Sequence, residues 1–275
     1  MVDLLRLTVW MVLLACGGTH AARLYPTNQQ VAAHQTAASD QGYYGIIATM
    51  DVYNFNLGIE QYTVGSIILF DVGDGEPSSY STIQIGWEVS PKMYGDSRTR
   101  LGALWTNDGL QETGCPNAQC GFQPAEGASM TLGGVIETVS QPKGLKQTIT
   151  IVIFKDGVLG DWLLYYGLNQ DDPALIGCFP KSLFTGGMAN RAPSIRFGGY
   201  VQTHTTNLVP MGSGYLPTGD AMASAFMSNI QIFDQNGQAT PLPQDSPSVV
   251  TDSNIYRATP IVNGRFSYGG PFQST

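Results

Sequence analysis

The chain has 275 residues, a formal net charge of −8 at pH 7, 43% hydrophobic residues, 33 Gly and 16 Pro. The acidic balance and the lack of any run of Lys and Arg argue against a nucleic-acid partner, because phosphate binding needs clustered positive charge. The hydrophobic content excludes a wholly disordered chain, and the many Gly, Pro, β-branched and aromatic residues favour strands joined by turns.

The first 21 residues have the composition of a secretory signal peptide. Arg6 precedes an apolar stretch over residues 7–16, and small residues follow it as far as Ala21, where we expect cleavage. The stretch is too short to span a membrane. A bacterial lipobox with Cys16 as the lipid acceptor is the alternative. We predict a secreted, extracellular protein with no membrane partner, a lead-in over residues 22–41 and one domain over residues 42–275.

Short strand-like segments recur about every ten residues after the lead-in. They begin at Tyr43 and near Tyr62 and continue over residues 81–89, 100–106, 135–139, 147–155, 162–167, 194–202 and 223–234. A short helix is predicted within residues 181–189. So many short strands without a βαβ rhythm predict an all-β fold, either an antiparallel sandwich or a barrel.

The segment from Ser81 to Asp96 contains the first candidate site. Ile83, Ile85, Trp87 and Val89 alternate with Gln84, Gly86 and Glu88, so one strand face suits a core while the other carries an amide and a carboxylate. A Gly between two polar residues indicates that a ligand or another strand approaches the backbone closely.

A second strand, residues 194–202, repeats this arrangement, with Arg196, Gly198 and Tyr200 on its non-core face. If the two strands lie side by side, these residues and Gln84 and Glu88 line a groove. We expect Glu88 to pair with Arg196 or with solvent, and a pair with Arg196 would lower its pKa. The alternative is that Glu88 acts as a general acid or base.

The cysteines predict one local crosslink in an exported protein. Cys115 and Cys120 lie five residues apart and are expected to form a disulfide, which leaves Cys178 unpaired. We expect Cys178 to be a buried residue, and the alternative is a reactive thiol. The spacing does not provide the ligand set of a zinc site, and no cofactor is predicted.

Six separated motifs carry a resemblance to a known family. They are TIQIGWEVSPKMYGDSRTRLGALWTNDG, TGCPNAQCGF, IGCFPKSLF, IRFGGYV, MGSG and YGGP, in this order between about Gln41 and Pro271. In order and spacing they resemble the neprosin domain, a family of plant secreted proteins formerly described as a domain of unknown function. The resemblance implies a sandwich of two antiparallel sheets and the disulfide between Cys115 and Cys120. Founding members are glutamic peptidases that cleave on the carboxyl side of proline at acid pH without a metal or cofactor.

The resemblance also identifies two catalytic positions, and this chain departs from the family at both. The family has glutamates where this sequence has Gln84 and Tyr200. An amide has no titratable proton, and a phenol with a pKa near 10 offers no base at acid pH. Glu88 is the candidate surrogate.

We therefore expect a neprosin-like domain whose proline-directed peptidase activity is lost or altered, acting on a peptide or protein in the plant apoplast or cell wall. The alternative is a non-catalytic binding module for Pro-rich peptides or cell-wall polysaccharides.

Overall fold

The structure is a computed structural model that describes residues 28–218, 220, 222–242 and 246–272. The predicted signal peptide lies outside the described residues. The strands are β1 Asn28–Gln35, β2 Gly45–Asp51, β3 Gln61–Asp71, β4 Ser81–Val89, β5 Arg100–Thr106, β6 Cys115–Pro116, β7 Gln123–Pro124, β8 Thr148–Lys155, β9 Trp162–Leu168, β10 Ala174–Phe179, β11 Ser194–Thr203, β12 Met211–Gly212, β13 Ala225–Phe233, β14 Ala239–Pro241, β15 Ser248–Val250, β16 Arg257–Ala258 and β17 Phe266–Gly270.

The strands form two antiparallel sheets. The first has the order β15-β1-β11-β3-β4-β5-β6, and the second has the order β12-β17-β13-β2-β8-β9-β10-β7, with β14 paired to β13 and β16 paired to β17. The predicted all-β sandwich of two antiparallel sheets is therefore confirmed, and the barrel alternative is wrong.

The hydrophobic core lies between the two sheets, where four strands direct every second side chain inward. The first sheet contributes one face of β4 and of β11, and the second contributes one face of β2 and of β8. Their fully buried side chains belong to one cluster: Ile83, Ile85, Trp87, Val89, Ile195, Phe197, Ile46, Ala48, Met50, Ile149, Ile151 and Ile153. Burial of so many large apolar side chains drives the sheets together. The other face of β4 and of β11 points away from the core.

Part of the predicted lead-in is integrated into the first sheet. Residues 28–35 form β1, which pairs with β11 along its whole length, so the sandwich includes residues that precede position 42. The sequence hides this strand because four consecutive residues, 31–34, are buried, and two of them are the small residues Ala32 and Ala33. No alternation of polar and apolar residues marks it.

Two other predicted elements differ from the structure. Residues 135–139 were expected to form a strand, but they contribute one bridge, between Val135 and Arg100, and one further backbone hydrogen bond, from Ile136 to Thr99. The helix expected within residues 181–189 consists of two 3-10 turns, Lys181–Leu183 and Gly187–Ala189.

The described helices are all short. Besides the 3-10 turns, which also include Pro77–Ser79, there is a one-turn α-helix, α1, at Pro91–Tyr94. None of the helices in residues 28–218, 220, 222–242 and 246–272 is long and apolar enough to cross a bilayer.

Candidate functional site

The two candidate strands lie in the same sheet, but they are not neighbours. Strand β3 lies between them and pairs with β11 on one side and with β4 on the other. The prediction that β4 and β11 lie side by side is therefore wrong. Sequence alternation shows which face a residue occupies, whereas the order of strands depends on long-range pairing.

The register sets which polar residues are level with one another. Gln84 is opposite Ile68, which is opposite Arg196, whereas Glu88 is opposite Val64, which is opposite Tyr200. Two strand spacings place the Cα atoms of Glu88 and Tyr200 about 10 Å apart, while four residues along β4 separate Gln84 from Glu88 by about 13 Å. Glu88, and not Gln84, is thus level with Tyr200.

The two glycines of the predicted groove accommodate neighbouring strands. A Cβ atom on Gly86 would lie 2.0 Å from the carbonyl oxygen of Gly65 in β3, and a Cβ atom on Gly198 would lie 2.5 Å from the Cα atom of Ala33 in β1. The close approach that the sequence indicated at Gly86 is therefore that of another strand.

Arg196 does not pair with Glu88. It is buried, its Nε and Nη2 atoms donate to Oε1 of Gln35 at 3.0 and 2.7 Å, and its guanidinium lies over the ring of Phe70. Burial lowers the pKa of Arg196 to about 10. The predicted Glu88–Arg196 pair is wrong because β3 intervenes and Gln35 of β1 is the nearer partner.

Glu88 is instead held by two phenol groups. Its Oε2 atom accepts a hydrogen bond from Tyr62 at 2.7 Å, and its Oε1 atom accepts one from Tyr94 at 2.5 Å. Only 6% of Glu88 is exposed. Burial raises the pKa of Glu88, and the two hydrogen bonds offset part of that rise. The expected lowering of this pKa by an arginine is therefore wrong.

Tyr94 reaches Glu88 because the chain turns sharply after β4. Pro91 occupies the first position of α1, and Gly95 ends the helix with a φ of 75°. These residues favour a helical start and stop. One helical turn brings Tyr94 back over the end of β4, where its hydroxyl also accepts a hydrogen bond from Nδ2 of Asn117 at 2.9 Å. Burial, together with the nearby Glu88, raises the pKa of Tyr94.

A cleft of about 570 Å³ lies over this face of the first sheet. Its lining includes Gln84, Glu88 and Tyr200 from the sequence prediction, together with Tyr62, Ile68 and Gln202, which the sequence analysis did not single out. Gly86, Arg196 and Gly198, which were predicted to line the groove, are not among its lining residues. A cleft of this volume accommodates several residues of a peptide.

Two tyrosines form one side of the cleft. The ring centroids of Tyr62 and Tyr200 are 6.0 Å apart, with an interplanar angle of 59°. The hydroxyl of Tyr200 donates to Oε1 of Gln202 at 3.0 Å, and Nε2 of Gln202 lies 3.0 Å from Nε2 of His204. Burial raises the pKa of both tyrosines well above the usual range, so both phenols are neutral in acid solution.

The predicted disulfide between Cys115 and Cys120 is confirmed, and Cys115 lines the cleft. Residue 117, between the two cysteines, is the same Asn117 that donates to Tyr94, so the loop that the disulfide closes also supports the Glu88 site. Cys178 is unpaired, as expected, but it is half-buried in β10 and not enclosed.

The described residues contain no group of three His, Cys, Asp or Glu side chains placed to hold a metal ion. The site instead combines one buried carboxyl group, two phenols bonded to it, and the amides of Gln84 and Gln202. These groups can bind peptide backbone and side chains by hydrogen bonds and aromatic contacts.

The chain is thus a two-sheet antiparallel sandwich with a cleft across one outer face. Residues 60–271 match the sequence model of the Neprosin family, and the chain belongs to that family.

Two solved structures of Scytalido-glutamic peptidase are also similar to this chain. One contains a peptide-based transition state analog; it has 11% sequence identity and a TM-score of 0.46. The other contains a transition state analog inhibitor and has 10% identity and a TM-score of 0.47. Each comparison covers 88% of this chain and 98% of the peptidase chain.

Proposed function

We propose that this Neprosin-family chain binds an extended peptide segment in the cleft and that its two-carboxylate hydrolysis is lost or altered. The resemblance puts the family's two glutamates at Gln84 and Tyr200, and neither an amide nor a buried phenol supplies a base in acid solution. The cleft itself remains open, with aromatic and amide groups along its floor.

The observation that carries this proposal is the state of Glu88. A water molecule shared between two carboxyl groups is activated because one group accepts its proton while the other polarises the substrate. In this cleft both oxygens of Glu88 accept hydrogen bonds from phenols, and the cross-strand position level with Glu88 holds another phenol, Tyr200. Phenols thus occupy the places around Glu88 where a second acid would have to act.

Two neighbouring tyrosine rings favour a peptide ligand. Flat aromatic side chains pack well against proline rings and other extended apolar segments, and Tyr62 and Tyr200 lie beside each other in the cleft. A Pro-rich segment is therefore our preferred ligand. No contact in the cleft specifically favours a cell-wall polysaccharide.

A second candidate function is hydrolysis that depends on Glu88 alone. It is favoured by the raised pKa of this group and by its position in the cleft, because a general acid works best when its pKa is near the working pH. In such a reaction water adds to the peptide carbonyl, Glu88 gives its proton to the departing amine, and the proton released from the water restores the acid form of Glu88.

Secretion is part of the proposal. The disulfide between Cys115 and Cys120 supports an oxidising compartment such as the apoplast, since cytosolic thiols are kept reduced. Detection of the chain in the medium or the wall fraction, with its amino terminus near residue 22, tests this point.

The test of function uses the purified secreted protein and a proline-containing peptide with a fluorophore and a quencher, between about pH 2.5 and 6. We expect the peptide to bind, as measured by anisotropy of a singly labelled copy, and to stay intact. Cleavage at proline that disappears in Glu88→Gln would contradict the leading proposal and support the second candidate. Binding that is unchanged in Tyr200→Ala would contradict the cleft as the peptide site.

A further inference from the structure

The carboxyl group of Glu88 is buried without a cationic partner among the described residues. The ion pairs in this part of the chain join Asp96 to Arg98 and Arg100, and Asp51 to Lys146. None of them involves Glu88. A buried carboxylate is costly unless a cation or several hydrogen bonds compensate it.

Two arginines on the same face of the first sheet are already engaged. Arg100 is opposite Glu88 in the pairing of β4 with β5, but its Nη2 atom is 3.0 Å from Asp96 and its Nη1 atom donates to the carbonyl oxygen of Gly133. The guanidinium of Arg196 is bonded to Gln35. Neither arginine therefore neutralises Glu88, which lines the cleft.

Aromatic faces stand beside this carboxyl group. Tyr62 and Tyr200 are half-buried and line the cleft, and their hydroxyl groups are fixed by Glu88 and Gln202. The two rings pack against each other, and the surface that they present to the cleft is available to a ligand. A ring face attracts a cation through its quadrupole, and the attraction grows when water is excluded.

The rim of the cleft adds negative potential. Glu60 and Glu112 line it and are exposed, against one exposed cation, Lys92, among the lining residues, and the whole chain has a net charge of −8. Such a field raises the local concentration of cationic ligands without holding them in a specific place.

We propose that the part of the cleft lined by Glu88, Tyr62 and Tyr200 binds a primary ammonium group of the peptide. The ammonium contacts the carboxyl group of Glu88 and the surface that the two tyrosine rings present to the cleft, and it comes either from a lysine side chain or from the peptide's amino terminus. This inference rests on the proposed peptide binding and names the chemical class of ligand that the site selects.

The test compares three labelled peptides on the unmodified protein by fluorescence anisotropy at pH 7. One carries an internal lysine and an acetylated amino terminus, the second has norleucine in place of lysine, and the third has norleucine and a free amino terminus. A desolvated cation against aromatic rings is worth about 1–2 kcal/mol, which is roughly a tenfold change in Kd. We expect the lysine peptide or the free-terminus peptide to bind about tenfold more tightly than the second peptide. Whichever of the two binds more tightly shows whether the ammonium group comes from lysine or from the amino terminus.

Two variants separate the pocket from the general field. Glu88→Gln should remove the tenfold preference, whereas Glu137→Gln makes the same charge change at an exposed residue away from the cleft and should retain it. Thermal melts establish whether both variants are folded. If Glu88→Gln does not fold, the comparison of the three peptides on the unmodified protein still tests the proposal.

The outcomes are distinguishable. Equal binding of all three peptides would overturn the ammonium site and leave peptide binding intact, while no binding of any peptide would overturn the proposed function as well. A preference that persists in Glu88→Gln and vanishes at high salt would assign it to the rim charges and overturn the inference.

Discussion

The hydroxyl of Tyr62 and the Oε2 atom of Glu88 lie 2.7 Å apart on neighbouring strands of the first sheet. A phenol of β3 thus stabilises the charged form of a buried carboxyl group of β4, and Tyr94 of α1 does the same from the other side. This contact between two strands and a helix defines the chemistry of the cleft floor.

Removing the Tyr62 hydroxyl should make Glu88 a weaker acid. In Tyr62→Phe the buried carboxylate loses one of the two hydrogen bonds that lower its pKa, while the burial that raises it remains, so we expect the pKa to rise further. The unfolding free energy should fall by about 1 kcal/mol. Carbon-detected NMR titration of the glutamate side chains measures the first effect and urea denaturation the second.

Tyr43→Phe provides the control for that variant. Tyr43 donates its hydroxyl to the carbonyl oxygen of Ala37, in another part of the fold, so the Glu88 titration should not change. If Tyr62→Phe left the Glu88 titration where it was, or moved it to lower pH, the hydrogen bond from Tyr62 would not stabilise the carboxylate form of Glu88.

A methyl group at Gly102 should displace Glu88. The added Cβ atom would lie 2.3 Å from Cδ and 2.6 Å from Cγ of Glu88, and the enclosed side chain can move only by breaking its bonds to the tyrosines. We expect Gly102→Ala to cost about 1–3 kcal/mol of stability and to weaken peptide binding. Gly157→Ala is the matched control, because a Cβ atom there meets nothing within 4 Å. Equal stability of the two variants would contradict the packing argument.

The strands of the site were predictable from the sequence where polar and apolar residues alternate along a single strand. β5 has the predicted bounds of residues 100–106, and β4 and β11 direct Gln84, Glu88 and Tyr200 to the face opposite the core, as their pattern indicates. Strict alternation predicts the face because successive side chains of a strand point to opposite sides.

What the sequence did not reveal was which strands are neighbours and which side chains meet. β3 has eight consecutive buried residues, 63–70, so its pattern does not show that it separates β4 from β11, and Tyr62 at its start was not recognised as the partner of Glu88. The position of Tyr94 could have been predicted, since Pro91 and Gly95 indicate a one-turn helix that brings Tyr94 back towards β4. The exclusion of Arg196 depends on Gln35 in β1, a strand that lacks any local signal.

The disulfide should matter for the site more than for the fold. A loop this short constrains the unfolded chain modestly, so Cys115→Ser/Cys120→Ser should cost about 2 kcal/mol. Within the loop, however, Asn117 supports Tyr94, and the backbone oxygen of Cys120 accepts a hydrogen bond from Trp105 at 2.9 Å. We expect a several-fold loss of peptide affinity at a temperature where the variant is fully folded. Cys178→Ser, which alters an unpaired cysteine outside the cleft, should leave the affinity unchanged, and a matching loss in both variants would contradict a role for the loop.

A second buried carboxyl group, Asp51 in β2, should make the fold more stable in acid. Asp51 is fully buried, and its Oδ2 atom lies 3.0 Å from Nζ of Lys146. Burial raises the pKa of Asp51 to about 6, although Lys146 and Tyr53 act to lower it. The folded protein therefore holds this proton more tightly than the unfolded chain does, and the contribution to stability is fully present below about pH 4 and is lost as the pH rises through about 6.

The measurable consequence is a fall in unfolding free energy between about pH 4 and 6, of at most about 3 kcal/mol from this group, because each pKa unit corresponds to 1.36 kcal/mol. Asp51→Asn should flatten that part of the curve, but it also leaves the ammonium of Lys146, which is 16% exposed, without its carboxylate. Asp51→Asn/Lys146→Met removes both charges, so at pH 7 it should be more stable than the single variant. Urea denaturation across this pH range measures both effects. A stability curve that rises with pH in the unmodified protein, and rises less steeply in Asp51→Asn, would mean that the ion pair outweighs burial at this position.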